Sequence, residues 1–295
     1  MPSSSTDPAP LNITISDDSP TLNYLPYRDG PLTGGWNVTC PGSDDSTWFP
    51  QSFCVGPSSH RTSFVGASVS VQFVGTAAYF YGTAPSGSYV LQVDNQVVSS
   101  PNSPPGLLAK AEGLTYGQHT AYFNVTQSNV VSVSEVVLTI GVGAGGSPGV
   151  NRTIIPFTAD ATLNPLFSYT ATWFTDLPGT IGAVGNTFYP RQHTDQAGAS
   201  VSFTLNETSA FFIYCLVNVD LGPFTVTVQP PSDLGPAVTT TFNSSSRWIS
   251  LDQVMFWQSG LDRNRQYSVT ITNEGQGDAP WWDFSHIDVI DGEPR

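Results

Sequence analysis

The segment Tyr189-Pro190-Arg191-Gln192-His193-Thr194-Asp195 puts an aromatic ring, a guanidinium, an imidazole and a carboxylate within seven residues. A second set, Trp281-Trp282-Asp283, follows the turn-rich stretch Gly275-Gln276-Gly277-Asp278-Ala279-Pro280. Aromatic faces can cover the apolar side of a sugar ring, and planar polar groups can meet its hydroxyls. Tyr189, Arg191 and His193 are also the residue types that proton transfer in a lyase would need. In the first half of the chain, His60-Arg61-Thr62 stands in the corresponding place, with Trp36 and Trp48-Phe49 nearby. The candidate ligand-binding residues are therefore Trp36, His60, Arg61, Tyr189, Arg191, His193, Asp195, Trp281, Trp282 and Asp283. None is assigned a catalytic role.

Each candidate also has a structural reading. His60 and His193 recur at nearly the same place in the two halves, which favours backbone hydrogen bonding over action as a base. Adjacent strand residues face opposite ways, so one of Trp281 and Trp282 is expected inside and the other outside. Trp248, Phe256 and Trp257 are read as core residues. His286 is expected to pair with Asp288, two residues on and on the same strand face. Cys215, in the apolar run Phe211–Leu216, reads as a small buried hydrophobe.

Asp17, Asp18 and Asp160 fall where strands pass into loops. Oxygen ligands at such places can hold a structural Ca²⁺, and turn formation by the Asp side chains is the alternative. No other cofactor is expected: EF-hand loops and zinc spacing are absent from the sequence, and Gly141 to Gly149 lacks the strand and helix that a phosphate-binding glycine loop needs and reads as a linker. A glycosidase needs two facing carboxylates. Glu112, Glu135, Glu207, Glu274 and Glu293 all lie outside aromatic-rich segments, leaving Asp176, Asp195, Asp262, Asp278 and Asp283 as the second half's acids.

The elements that must position these residues are strands. Ser68–Val74, Tyr89–Asp94, Val201–Leu205, Phe224–Val228 and Tyr267–Thr272 alternate polar and apolar residues, with Gly, Pro, Asn and Asp between them. The pattern also repeats. Gly66-Ala67-Ser68-Val69-Ser70 returns as Gly198-Ala199-Ser200-Val201-Ser202, and Thr76–Tyr81 returns as Thr208–Ile213. Asn12–Asp18 matches the stretch from Thr153 to Asp160, Tyr27 matches Tyr169, and His119 matches Tyr267. A period this long means two copies of one domain. The expected division is 1–141, a glycine-rich linker over 142–150, and 151–295. The fold class is all-β, two tandem antiparallel β-sandwiches.

Composition limits the partners. Only 11% of the 295 residues are charged, Lys110 is the single lysine, and the net charge is −14. Phosphate backbones need a basic patch, so nucleic acid is excluded as a partner. No apolar run is long enough to be a transmembrane helix, so no membrane insertion by this segment is expected. Glycosylation sequons begin at Asn12, Asn37, Asn124, Asn151, Asn206 and Asn243. Cys40 and Cys54 bracket a Pro/Ser/Asp-rich insertion and are expected to form a disulfide closing a short loop. These features favour an extracellular, secreted or cell-surface location.

The ordered marks resemble the tandem galactose-binding-like jelly-roll domains of extracellular proteins from mushroom-forming fungi. They are an opening strand ending in Asp17-Asp18 or Asp160, a His before Gly-Ala-Ser-Val, the Tyr79-Phe80-Tyr81-Gly82 strand, the Tyr-x-Val-x-Val-Asp strand of Tyr89–Asp94, and a Gly-Leu turn before His119-Thr120. The resemblance implies about eight strands per domain, close to carbohydrate-binding modules, and covers nearly the whole chain. The first functional reading is a non-catalytic extracellular protein that binds a glycan or polysaccharide. A polysaccharide-active hydrolase or lyase, with its site in the second domain or at the domain interface, is the alternative from another class. An adhesion or sensor ectodomain with a protein partner is a third.

Overall fold

The computed structural model describes residues 8–42, 53–54, 56–98, 104–142, 150–158, 162–176, 191–230 and 233–291. Among these the secondary structure is all strand, without helix. The chain divides into two compact units, Met1–Pro148 and Gly149–Arg295.

In the first unit the strands are β1 (Ala9–Ser16), β2 (Asn23–Leu25), β3 (Asn37–Thr39), β4 (Ser59–Thr62), β5 (Ser68–Thr83), β6 (Tyr89–Val93), β7 (Gln96–Val98), β8 (Leu107–Ala111), β9 (Gly117–Val125) and β10 (Val131–Val142). In the second they are β11 (Val150–Ile154), β12 (Ser168–Tyr169), β13 (Phe174–Asp176), β14 (Arg191–Thr194), β15 (Ser200–Leu205), β16 (Ala210–Val217), β17 (Pro223–Gln229), β18 (Val238–Asn243), β19 (Ser250–Ser259), β20 (Tyr267–Asn273), β21 (Trp282–Phe284) and β22 (His286–Asp291).

The second unit shows the plan plainly. Sheets β11-β22-β16-β19 and β12-β15-β20-β17-β18 share one core, to which the short sheet β13-β14-β21 also contributes. Alternate residues of the two large sheets meet in one core, which includes Val201, Phe203, Phe211, Ile213, Cys215, Phe224, Met255, Ile271, Trp282 and Ile287. Antiparallel sandwiches bury one face of each strand in this way.

The first unit repeats the plan strand for strand. β5 does the work of β15 and β16 together, and β10 that of β21 and β22. Because β5 and β10 run unbroken through both layers, the first unit's ladders join into a single 10-stranded sheet. In the second unit the run is interrupted between β15 and β16, where Glu207 adopts φ 52°. The turn before each long strand is the same. Gly66 (φ 90°) and Gly198 (φ 82°) occupy the left-handed region that glycine tolerates without strain. Their amides donate to Val125 O and Asn273 O respectively.

The ladders correct several pairings expected from the sequence. The interruption before β16 shifts the register by one residue: Val136 faces Phe80, and its equivalent Ile287 faces Ile213. Phe80 thus corresponds to Ile213, so Thr76–Tyr81 does not map on Thr208–Ile213. A one-residue slip moves every side chain to the other face. Tyr24 faces Val69 as Tyr169 faces Val201, so Tyr24, not Tyr27, is the counterpart of Tyr169. Ile15 faces Val136 as Ile154 faces Ile287, which puts Pro156, not Asp160, opposite Asp17. Asp160 itself lies outside the described residues.

Candidate functional site

Strands β4 and β14 carry the polar candidates, and the registers fix their equivalence. Thr62 faces Val131, and Thr194 faces Trp282. His60 therefore corresponds to Gln192, and Arg61 to His193. Both strands alternate half-buried and buried positions. His60 points inward and His193 outward, so the two histidines do not occupy the same place.

In the second unit the outward face of β13-β14-β21 gathers a compact set. Phe174 lies opposite His193, which lies opposite Asp283, while Asp176 lies opposite Arg191. Arg191 Nε donates to Asp176 Oδ2 at 2.7 Å, and Nη1 donates to Asp283 Oδ2. His193 Nε2 is 3.5 Å from Asp176 Oδ1. The His193 ring lies 5.4 Å from Phe174 and 5.3 Å from Trp281, centroid to centroid. Phe174 is 45% exposed and Trp281 is half-buried. The result is an aromatic surface beside a guanidinium clamped by two carboxylates.

The electrostatics follow from this packing. Burial works against the charge of Arg191, but Asp283 and Asp176 outweigh it and raise its pKa further. Burial pushes Asp283 up to about 6, against the pull of Arg191. Burial, and then Arg191, hold His193 below the usual histidine value, with Asp176 and Asp195 opposing. Asp176 and Asp283 share one guanidinium, which fixes it as a rigid donor.

Trp281 is held by its loop. Its carbonyl accepts from Gly222 N at 3.0 Å. Buried Asn273 donates from Nδ2 to Pro280 O at 2.8 Å and accepts from Gly275 N at 2.9 Å. A Cβ at Gly222 or Gly275 would meet Ala279 O at 2.2 or 2.6 Å, so only glycine lets these backbones approach.

Of the sequence candidates, the structure brings together Arg191, His193, Trp281 and Asp283. Asp195 is exposed in the turn after β14. Tyr189 lies outside the described residues. Trp282 is fully buried in the core, stacked 6.3 Å from Phe284, and offers no face to a ligand. Trp36 is likewise fully buried, its Nε1 donating to Leu25 O and Ser68 O at 3.1 Å. It corresponds to Trp173, which packs edge-on against Tyr169 as Trp36 does against Tyr24. Phe174 is not among the sequence candidates and Asp176 is there only as one of the second half's acids, although their i, i+2 spacing puts both on one strand face.

The first unit's version of this outward face carries Asn37, Arg61 and Ser132 where the second has Phe174, His193 and Asp283. Its charges are gathered underneath instead. His60 Nδ1 lies 2.8 Å from Asp17 Oδ2, and Ser58 Oγ donates to Asp17 Oδ1 at 2.5 Å. Tyr24 stacks on the imidazole at 4.3 Å and donates to Asp17 O at 3.0 Å. Arg28 Nη2 is bonded to Asp18 O and lies 3.3 Å from Asp18 Oδ1. Burial pushes Asp17 up to about 7, and burial together with Arg28 lowers His60 to about 4. These side chains do not fit an oxygen-only Ca²⁺ site. Arg28 already supplies the positive charge at Asp18, and an imidazole lies against Asp17.

Elsewhere, Cys40 and Cys54 form the disulfide, and Cys215 is buried. Trp248 is buried and Phe256 packs partly against the core. Trp257 is half-buried on the opposite strand face, facing Phe212. His286 stacks on Tyr214 at 4.5 Å and lies 3.8 Å from Asp252. Asp288 instead accepts from Thr153 and Asn151, so the expected His286–Asp288 pair is not formed. Asn12, Asn151, Asn206 and Asn243 are exposed, and Asn37 and Asn124 are half-buried.

No family model matches the chain. A curated relative, the A type blood N-acetyl-alpha-D-galactosamine deacetylase of Flavonifractor plautii, is 32% identical over 138 residues. That match covers 44% of this chain but only 15% of the relative's length. Among solved structures, a Paenibacillus xanthan lyase aligns over 99% of this chain and 27% of its own, at 13% identity and TM-score 0.34. The tandem CBM22 domains of Paenibacillus barcinonensis Xyn10C align over 99% of this chain and 100% of theirs, at 10% identity and TM-score 0.27. Similarity at these TM-scores carries no argument about ligand.

Proposed function

We propose that this chain is an extracellular glycan-binding protein whose contact surface is the outward face of β13-β14-β21. The observation that carries this reading is the Phe174–His193–Trp281 surface, exposed at Phe174 and half-buried at the other two, beside Arg191 and Asp176. Apolar sugar faces stack on such rings, and a fixed guanidinium–carboxylate pair offers donors and acceptors to adjacent hydroxyls. The partial match to an enzyme named for acting on N-acetyl-α-D-galactosamine supports sugars as the ligand class. So does the resemblance to fungal galactose-binding-like domains. The six sequons and the disulfide support the extracellular setting.

The reading is non-catalytic and assigns one site per chain, because the first unit's equivalent positions lack the rings. Asp176 and Asp283 both hold Arg191, an arrangement suited to recognition rather than to a separate acid and nucleophile. The test is a glycan panel with N-acetylated and plain galactosides among its members, followed by titration of the best ligand. Saturable binding that Trp281→Ala weakens supports the reading. Binding unaffected by Trp281→Ala would place the contact elsewhere, and release of new sugar ends would move the protein among the enzymes.

A further inference from the structure

The buried group beneath β4 has a feature that the glycan surface does not use. His60 is fully buried. Asp17 takes its Nδ1, and its Nε2 has no hydrogen-bond partner among the described residues. The group facing Nε2 is Asp29 Oδ1, 4.0 Å away. In the tautomer that donates from Nδ1 to Asp17, Nε2 presents a lone pair, and the carboxylate opposite presents another. Two acceptors that face each other across 4.0 Å need a positive centre or a donor between them. Asp17, Asp18 and His60 also place ligand atoms within 4.8 Å of one another. The Arg28 guanidinium is bonded to Asp18.

We propose that the first unit binds a divalent cation of the zinc class through His60 Nε2 and the Asp29 carboxylate. Asp17 is then the positioning residue that fixes the imidazole tautomer through Nδ1, the usual partner of a metal-bound histidine. The imidazole nitrogen selects a borderline metal over Ca²⁺, which prefers oxygen ligands throughout. The Asp29 side chain is 36% exposed, which leaves an entry path and room for water to complete the coordination. Bound there, the ion ties the β2–β3 connection, which carries Asp29, to β4. The equivalent place in the second unit lacks these ligands: Gln192 replaces His60 and donates to Thr175 at 2.6 Å, and Pro156 replaces Asp17.

The experiment uses the full chain, stripped with chelator and titrated with Zn²⁺ alone, with Ca²⁺ as the comparison. One tight Zn²⁺ equivalent is expected, without a matching Ca²⁺ response. His60→Gln installs the residue that the second unit carries at this place, so the fold should be retained. Unchanged circular dichroism and unfolding in chelator check that. His60→Gln and Asp29→Asn should each abolish the tight equivalent, and Asp17→Asn should weaken it about 10- to 100-fold. His119, His193 and His286 each lie beside an aspartate and are the competing zinc binders. A tight equivalent that survives His60→Gln assigns the ion to them and overturns the proposal. Absence of tight Zn²⁺ binding in the wild type, or Ca²⁺ binding of equal strength, overturns it too. The site lies in the other unit from the glycan surface, so either proposal can fail alone.

Discussion

His60 and His193 sit one position apart on equivalent strands and therefore on opposite faces, the first sealed against Asp17 and the second open beside Trp281. The two units thus use the same scaffold differently. One buries its charge and the other displays it. Substitutions should separate accordingly. His193→Ala is expected to weaken glycan binding with little loss of stability, and His60→Gln to leave glycan binding unchanged. Calorimetric titration of both variants with the same ligand checks this.

The loop that carries Trp281 depends on groups that never touch a ligand. Asn273→Ala removes the amide that holds Pro280 O and Gly275 N, leaving buried backbone groups unpaired. The cost should be about 1–3 kcal/mol. Gly222→Ala drives a methyl into Ala279 O and should displace the same loop. Both variants should weaken glycan binding while the first unit unfolds as before, as denaturant melts followed by tryptophan fluorescence would show.

The recurrence of one turn was readable because Gly66-Ala67 and Gly198-Ala199 spell the same left-handed turn twice. The opposite placement of Trp281 and Trp282 followed from strand alternation alone. What could not be read was the register. A break of the chain before β16 shifts it by one, and nothing local in Asn206-Glu207-Thr208 reports that β5 runs straight through. The same blindness paired His60 with His193. Phe174 escaped notice, and Asp176 stood only as one acid among five, because their role depends on ladder pairing with β14, a contact between strands rather than within one.

Acid should act on the second unit through two groups of opposite sign. His193 has a lowered folded pKa, so the folded state binds its proton more weakly than the unfolded chain. Its contribution to stability is intact above the ordinary histidine value of 6.5 and is lost as pH falls through the lowered folded value. Asp283 is raised from 3.8 to about 6, so its contribution is full below 3.8 and is lost as pH rises through about 6. His193→Asn should therefore reduce the acid loss of stability, and Asp283→Asn should reduce the loss on the rising side. Denaturant melts at a series of pH values measure both.

The Cys40–Cys54 disulfide closes a loop with a sequence separation of 14. A crosslink of that span stabilises a fold by about 3 kcal/mol, mainly by restricting the unfolded chain. Reduction, or the double substitution to alanine, should lower the unfolding midpoint of the first unit and leave glycan binding intact.

The most direct test of the account is titration of the best panel glycan into the wild type and into Trp281→Ala. Loss of one ring's stacking and buried area should weaken binding by about tenfold or more. The unfolding profile should stay unchanged, since Trp281 lies outside the core while Trp282 fills it. Equal affinity in the two proteins would contradict the assignment of the glycan surface to β13-β14-β21.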